Sequence, residues 1–313
     1  LRTPLRGGPF TEEFRPVLAA LMQQEGAEEV FRRRTQVVQA AVAAATPDDW
    51  QDPFAPETGR LLAAAMSFLN RWRDAAELAR FAARMYALPR MRVAYPALLP
   101  VALAEEASYV FRADPDDPAG AIALCRRAIA EVPAIGARAQ LVGPMERALI
   151  LYNLAAGQES EAAPLIADLT GLADEAAVLP QMGLAYAELC QSFAAEAPES
   201  RPARFAFWAE RALHLAPDHR STQMLRAQVA FDAGRDTEVI EALRKAESLG
   251  ADPAHIDQAL RNAIARRPES KLLADYLASR RKEQPAMAPA PPAPGLWRGS
   301  VGDSTTRPSF TED

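Results

Sequence analysis

Ala121-Ile122-Ala123-Leu124-Cys125-Arg126-Arg127-Ala128-Ile129-Ala130-Glu131-Val132-Pro133 has a close echo later in the chain, Phe205-Ala206-Phe207-Trp208-Ala209-Glu210-Arg211-Ala212-Leu213-His214-Leu215-Ala216-Pro217. Both stretches set an alanine, Ala128 or Ala212, five positions before a proline, with apolar residues on the same helical face. The small side chain lets a neighbouring helix approach closely. The proline lacks an N–H and its ring clashes with the preceding turn, so it ends the helix and forces the chain around. A helical chain of this length can form a compact bundle or a solenoid of stacked hairpins. An internal repeat favours the solenoid.

Helical periodicity spreads outward from these two stretches over almost everything from Thr11 to Lys282. Phe14, Val17, Leu18, Leu21 and Met22 make the first apolar stripe, with Thr11 as N-cap and Gly26 as stop. Val30, Phe31, Val37, Val38, Ala41 and Val42 make the second, ended by Thr46-Pro47-Asp48-Asp49. Further helices are expected in pairs: 56–70 with 72–87, 97–112 with 118–131, 144–156 with 159–171, 178–195 with 202–215, 220–233 with 236–249, and 254–266 with 269–282. Pro89, Pro133, Gly157, Pro217, Gly234, Gly250 and Pro268 separate them. No run alternates apolar and polar residues with β-branched enrichment, so no strand is expected. The expected fold is all-α, about seven helical hairpins over 11–283, with 11–46 an atypical capping hairpin. Residues 1–10 read as an extended arm. Residues 284–313 read as a Pro/Ala-rich spacer and a disordered tail, in which Trp297 and Arg298 are candidate anchors of a short docking motif.

These spacings resemble the tetratricopeptide repeat family, whose unit is a helix–turn–helix with small, aromatic and proline positions at fixed offsets. Ala121, Ala128 and Pro133 match its second helix. Gly157 with Ala162, and Gly234 with Val239 and Ala246, match its turn-to-helix spacing. Pro217 to Gly234 matches the step between adjoining repeats. Leu179, Met182, Gly183 and Tyr186 match its first helix, with leucine for tryptophan and methionine for leucine. The resemblance is clearest over 97–282. It is interrupted by about ten extra residues around 190–200 and about seven before Gly143. It implies a superhelix whose concave face is lined by the first helix of each pair and grips another polypeptide. The groove positions it implies are Glu106, Arg147, Leu151, Met224, Gln228, Asp232, Gln258, Asn262 and Arg266, with Phe231 supplying an apolar pocket. Some members clamp a partner's C-terminal carboxylate with basic residues at set positions. Glu106, Met224 and Gln258 stand at one such position here, so an internal segment or a folded partner is expected instead.

Composition bounds the rest. Apolar residues make up 49% and charged residues 24%, ordinary for a globular chain. The net charge of −6 argues against nucleic acid as a partner. Short basic runs such as Arg32-Arg33-Arg34 and Arg280-Arg281-Lys282 lie in or at the ends of helices and read as solvated faces. Alanine and arginine are abundant and lysine occurs only at 245, 271 and 282, a bias that suggests a bacterial source. Cys125 and Cys190 lack the spacing of a metal site or a disulfide framework, and are expected as buried free thiols in a reducing cytoplasm. No apolar run is long enough to span a bilayer. The chain begins at Leu1 rather than methionine, which leaves room for an upstream segment.

Signals of catalysis are sparse. The chain has no Gly-x-Gly-x-x-Gly, no phosphate loop, no His-Glu-x-x-His and no Gly-x-Ser-x-Gly. His214, His219 and His255 share no helical face and read as surface or helix-end residues. Asp114-Pro115-Asp116-Asp117-Pro118 lacks the glycine and distant glutamate of a calcium loop, and reads as a turn in which Asp117 caps the next helix. Trp72 and Trp208 read as core, and Trp50 as packed under a loop. No metal or cofactor is expected, and no enzyme. The function these readings support is a scaffold or adaptor for a partner protein. The alternative is a recruiting module of a larger bacterial enzyme, or a regulatory sensor, with its catalytic domain elsewhere.

Overall fold

A computed structural model of the chain describes residues 29, 55–68, 70–132 and 138–283. The expected hairpin 11–46, the arm, Trp50, Pro133 and the tail with Trp297 and Arg298 lie outside the described residues. Thirteen α-helices fill the described part: α1 (Ala55–Phe68), α2 (Trp72–Tyr86), α3 (Pro89–Ala94), α4 (Leu98–Ala113), α5 (Ala119–Glu131), α6 (Arg138–Ala156), α7 (Glu159–Thr170), α8 (Glu175–Phe193), α9 (Phe205–Leu215), α10 (Arg220–Asp232), α11 (Asp236–Ser248), α12 (Pro253–Arg266) and α13 (Lys271–Glu283). A single 3₁₀ turn, Pro198–Ser200, lies between α8 and α9. No described residue is in a strand. The described residues divide into two compact units, one up to Pro253 and one from Ala254 on.

Among the described residues the expected helix pairs are present, with three departures. Pro89, expected as a breaker, opens the short helix α3 at its first position, where a missing N–H costs nothing. α6 begins at Arg138 and runs through Pro144. Proline normally pushes its predecessor out of helical geometry by clashing with that residue's Cβ. Its predecessor here is Gly143, which has no Cβ, but α7 and α8 likewise continue through Pro164 and Pro180 behind Ala163 and Leu179, so an interior proline does not by itself end a helix in this fold. α8 starts at Glu175, because the Asp174 carboxylate accepts from the Ala176 amide at 3.1 Å and caps it there.

Three hairpins of the first unit close in the same way. Asn70, Gly157 and Gly234 each take a left-handed conformation, with φ of 56°, 76° and 74°. In each, the residue after the turn donates to a carbonyl five positions back: Arg71 to Met66, Gln158 to Asn153, and Arg235 to Ala230, at 2.8–2.9 Å. This closure satisfies the carbonyls a helix end would otherwise leave unpaired. It joins α1 to α2, α6 to α7 and α10 to α11. The first helices of successive pairs, α4, α6, α8 and α10, then pack side by side.

The two repeated stretches have matching burial. Ala121 and Phe205, Cys125 and Ala209, Ala128 and Ala212, and Val132 and Ala216 are all buried. Ala128 and Ala212 are fully so, as the repeat requires. Trp208 is also fully buried and starts a chain of aromatic contacts. It packs on Phe193 at 6.0 Å between centroids, Phe193 on Phe111 at 6.0 Å, and Phe111 on Tyr152 at 4.8 Å. One line of rings thereby joins α9, α8, α4 and α6. Both cysteines are free and buried. A further tie is ionic: Arg60 of α1 donates to both carboxylate oxygens of Glu105 on α4, at 2.7 and 2.8 Å, with both groups out of solvent.

Gly183 marks the closest approach of α8 to α9. A Cβ there would lie 2.8 Å from the Ala216 Cβ and 2.9 Å from the Ala216 backbone nitrogen. Alanine is the better helix former by roughly 1 kcal/mol. Overpacking against backbone costs about 1–3 kcal/mol. Gly183→Ala is therefore expected to lower stability in chemical denaturation, and an equal or higher midpoint would refute the close approach.

His219 caps α10, its Nδ1 accepting from the Ser221 amide at 3.2 Å. Only a neutral ring can accept there. Burial, and then the charge of Arg220, lower its pKa from the ordinary histidine value. With the folded value below the unfolded one, the contribution is fully present above about pH 6.5 and is lost as pH falls through the folded value. Thermal unfolding scans between about pH 7 and 5 should show a slope that His219→Asn, which can still cap, removes in part. The same slope in both proteins would show that the cap does not titrate.

Candidate functional site

The sequence-derived groove positions fall into different surroundings. On α4, Glu106 is buried and accepts from Arg80 of α2 at 2.7 Å. On α6, Leu151 is fully buried in the core, while Arg147 is exposed and donates to Glu188 of α8. On α10, Met224, Gln228, Phe231 and Asp232 are all half-buried. Gln228 donates to Asp232 Oδ1 at 2.9 Å, so these two are brought together. Gln258, Asn262 and Arg266 belong to the second unit, where all three are exposed on α12. Gln258 donates to Asn262 at 2.8 Å and accepts from Arg261.

One of these residues, Asp232, borders an open cavity of about 1030 Å³ in the first unit. The cavity runs along α9, the second helix of its pair, rather than along the first helices. The connection before α9 supplies one wall with Pro198, Arg201 and Pro202, and α9 supplies Phe205, Phe207 and Leu213. Val229 and Asp232 of α10 close the other side. Its size is at the upper end of ordinary ligand sites, about 300–1,000 Å³.

The charges on its walls are largely paired. Arg201 has only 5% of its side chain exposed. It donates to Asp232 Oδ2 at 2.5 Å and to the Ala194 carbonyl at 3.3 Å, and it stacks over Phe205 at 4.7 Å. Arg211 donates to both oxygens of Glu159 on α7, at 2.8 and 2.6 Å. Tyr186 of α8 donates its hydroxyl to the same carboxylate at 2.9 Å. Burial alone would raise the Glu159 pKa, but the hydrogen bonds from Arg211 and Tyr186 and the Arg211 charge outweigh it and hold it below the usual carboxylate range. The Tyr186 ring meets Phe207 edge-on at 6.3 Å. Phe207 lines the cavity and still has 40% of its surface exposed.

Burial pushes the Cys125 thiol up to about 12 and the Cys190 thiol higher still, so neither is a ready nucleophile. His214 is on the cavity wall, His219 is committed to capping α10, and His255 is in the second unit. Among the described residues, no group of three His, Cys, Asp or Glu side chains is placed to hold a metal ion. No described helix is long and apolar enough to cross a membrane.

Sequence reasoning missed Arg201, Phe205, Phe207 and Val229. The available signal was the run of about ten extra residues before α9, which breaks the repeat and supplies one wall of the cavity. Comparison with known protein families finds no matching family model, and comparison with curated proteins finds no matching sequence.

Proposed function

We propose that this chain is a non-catalytic binding module that holds a segment of a partner polypeptide along α9. The observation that carries this reading is the open cavity with the partly exposed Phe207 in its lining. An aromatic ring on a firm helical wall, flanked by prolines and aliphatic side chains, suits the apolar anchors of a peptide or partner helix. The paired charges Arg201 with Asp232 and Arg211 with Glu159 fix the walls without leaving strong local charge. The repeat of Ala121–Pro133 in Phe205–Pro217, and the shared closure at Asn70, Gly157 and Gly234, support a tetratricopeptide-like superhelix as the scaffold. Its role would be that of an adaptor in a bacterial cytoplasm.

A selection of random-sequence peptides against the purified chain tests this. Binders are expected to contain one or two large apolar residues. Phe207→Glu should weaken them about tenfold or more, the range of an aromatic hot spot. Val93→Glu, at an exposed position on α3, should leave them unchanged. Binders indifferent to Phe207→Glu would place recognition elsewhere.

A further inference from the structure

The connection between α8 and α9 does more than line the cavity, for it is tied to elements distant in sequence. Arg112, at the end of α4, lies between the rings of Trp72 and Phe193, 4.9 and 4.4 Å from their centroids. From there it donates to the Ser192 carbonyl at 3.0 Å and to Glu196 at 2.6 Å. Asp116, in the turn after α4, accepts from the amides of Ala203 and Arg204 at 3.1 and 3.3 Å. It thereby caps a helix from another hairpin, satisfying donors that the start of α9 leaves unpaired. Asp117, expected as the cap of α5, lies 3.4 Å from the Ala119 amide, so the stronger capping in this cluster is done by its neighbour for α9. Arg204 in turn donates to the Ala155 carbonyl at the end of α6, at 2.8 Å, beside the Gly157 turn. The connection thus crosses two earlier hairpins, anchored at both ends by charged groups, while Pro198, Arg201 and Pro202 between the anchors form the cavity wall.

We propose that residues 194–204 are a latch, a cavity wall whose position is set from the α4 end by Arg112 and Asp116, so that releasing those contacts opens the cavity without unfolding the helices around it. The latch is a regulation of the binding surface proposed above and rests on that reading. The physical basis is a contrast in how the parts are held. The interiors of α4, α6 and α8 are secured by buried apolar packing. The span 196–203 holds half-buried and exposed residues, with Pro202 its one buried position, and is secured by hydrogen bonds to charged groups, among them that of Arg201 to Asp232 on α10. Such segments open locally at lower free energy than the core.

The test uses the full chain with Asp116→Ala and, separately, Glu196→Ala. Both positions are at the surface side of the contacts, so the Arg112 stack stays in place. Amide exchange over 196–202 is expected to rise about tenfold in each variant, the scale of one lost hydrogen bond to a charged group. Exchange in α6 and in the interior of α8 should not change. Binding of the dye 8-anilinonaphthalene-1-sulfonate should increase severalfold, and Phe207→Asp in the Asp116→Ala background should cancel the increase. Unchanged exchange over 196–202 in both variants would overturn the latch. So would a rise spread equally over α4, α6 and α8, or a rise over 196–202 with no change in dye binding. Exchange is read without any peptide ligand, so a failed peptide selection and a failed latch remain separate results.

Discussion

Helices in this protein can stack only as closely as their smallest facing side chains allow. Ala128 and Ala212 are fully buried at equivalent points of two second helices, and Gly183 permits α8 to reach the end of α9 where even a methyl group would meet backbone. This spacing brings the larger residues into register. Trp208, Phe193, Phe111 and Tyr152 form one line of rings across four helices. Enlarging any small contact residue would separate the helices and break that line. Interiors of this density transmit such shifts rather than absorb them.

Arginine supplies the second layer of organisation. Arg60 with Glu105, Arg80 with Glu106, Arg147 with Glu188, Arg201 with Asp232 and Arg211 with Glu159 each join different elements. Exposed pairs of this kind contribute little stability on their own. The buried pair, Arg60 with Glu105, is more costly to break than it was beneficial to form, because either partner left alone would be a charge without solvent. What the set specifies is pairing. A guanidinium that reaches both oxygens of one carboxylate, as Arg60 and Arg211 do, fixes both distance and direction between two helices. The abundance of arginine over lysine in the composition has a structural use here.

The all-α fold was legible because its signals are local. Apolar periodicity placed the described helices within a few residues, except the short α3, which was not expected, and the start of α6, and proline and glycine punctuated most of them. The exceptions lie at prolines and caps. Pro144, Pro164 and Pro180 each lie inside a helix rather than ending one, and α8 gains a turn through the Asp174 cap. The site was less legible. Positions carried over by resemblance assumed a first-helix groove, and only Asp232 among them borders the cavity, while Leu151 is committed to the core and Glu106 to Arg80. The cavity depends on an insertion, and an insertion has no template position. Asp116 shows the limit most clearly. Its sequence neighbourhood announces a turn, but the amides it caps belong to Ala203 and Arg204, and no spacing rule connects the two.

The span of those contacts bears on the order in which the chain assembles. Hairpins closed by left-handed turns join residues a few positions apart and can form early. The Arg112–Glu196 contact joins residues 84 apart in sequence, and Asp116–Arg204 joins residues 88 apart. Closing loops of that length carries a larger entropic penalty than closing a hairpin and makes such contacts later events in folding. During synthesis the first hairpins would emerge and pack before α9 exists, with Asp116 solvated until the chain returns to it.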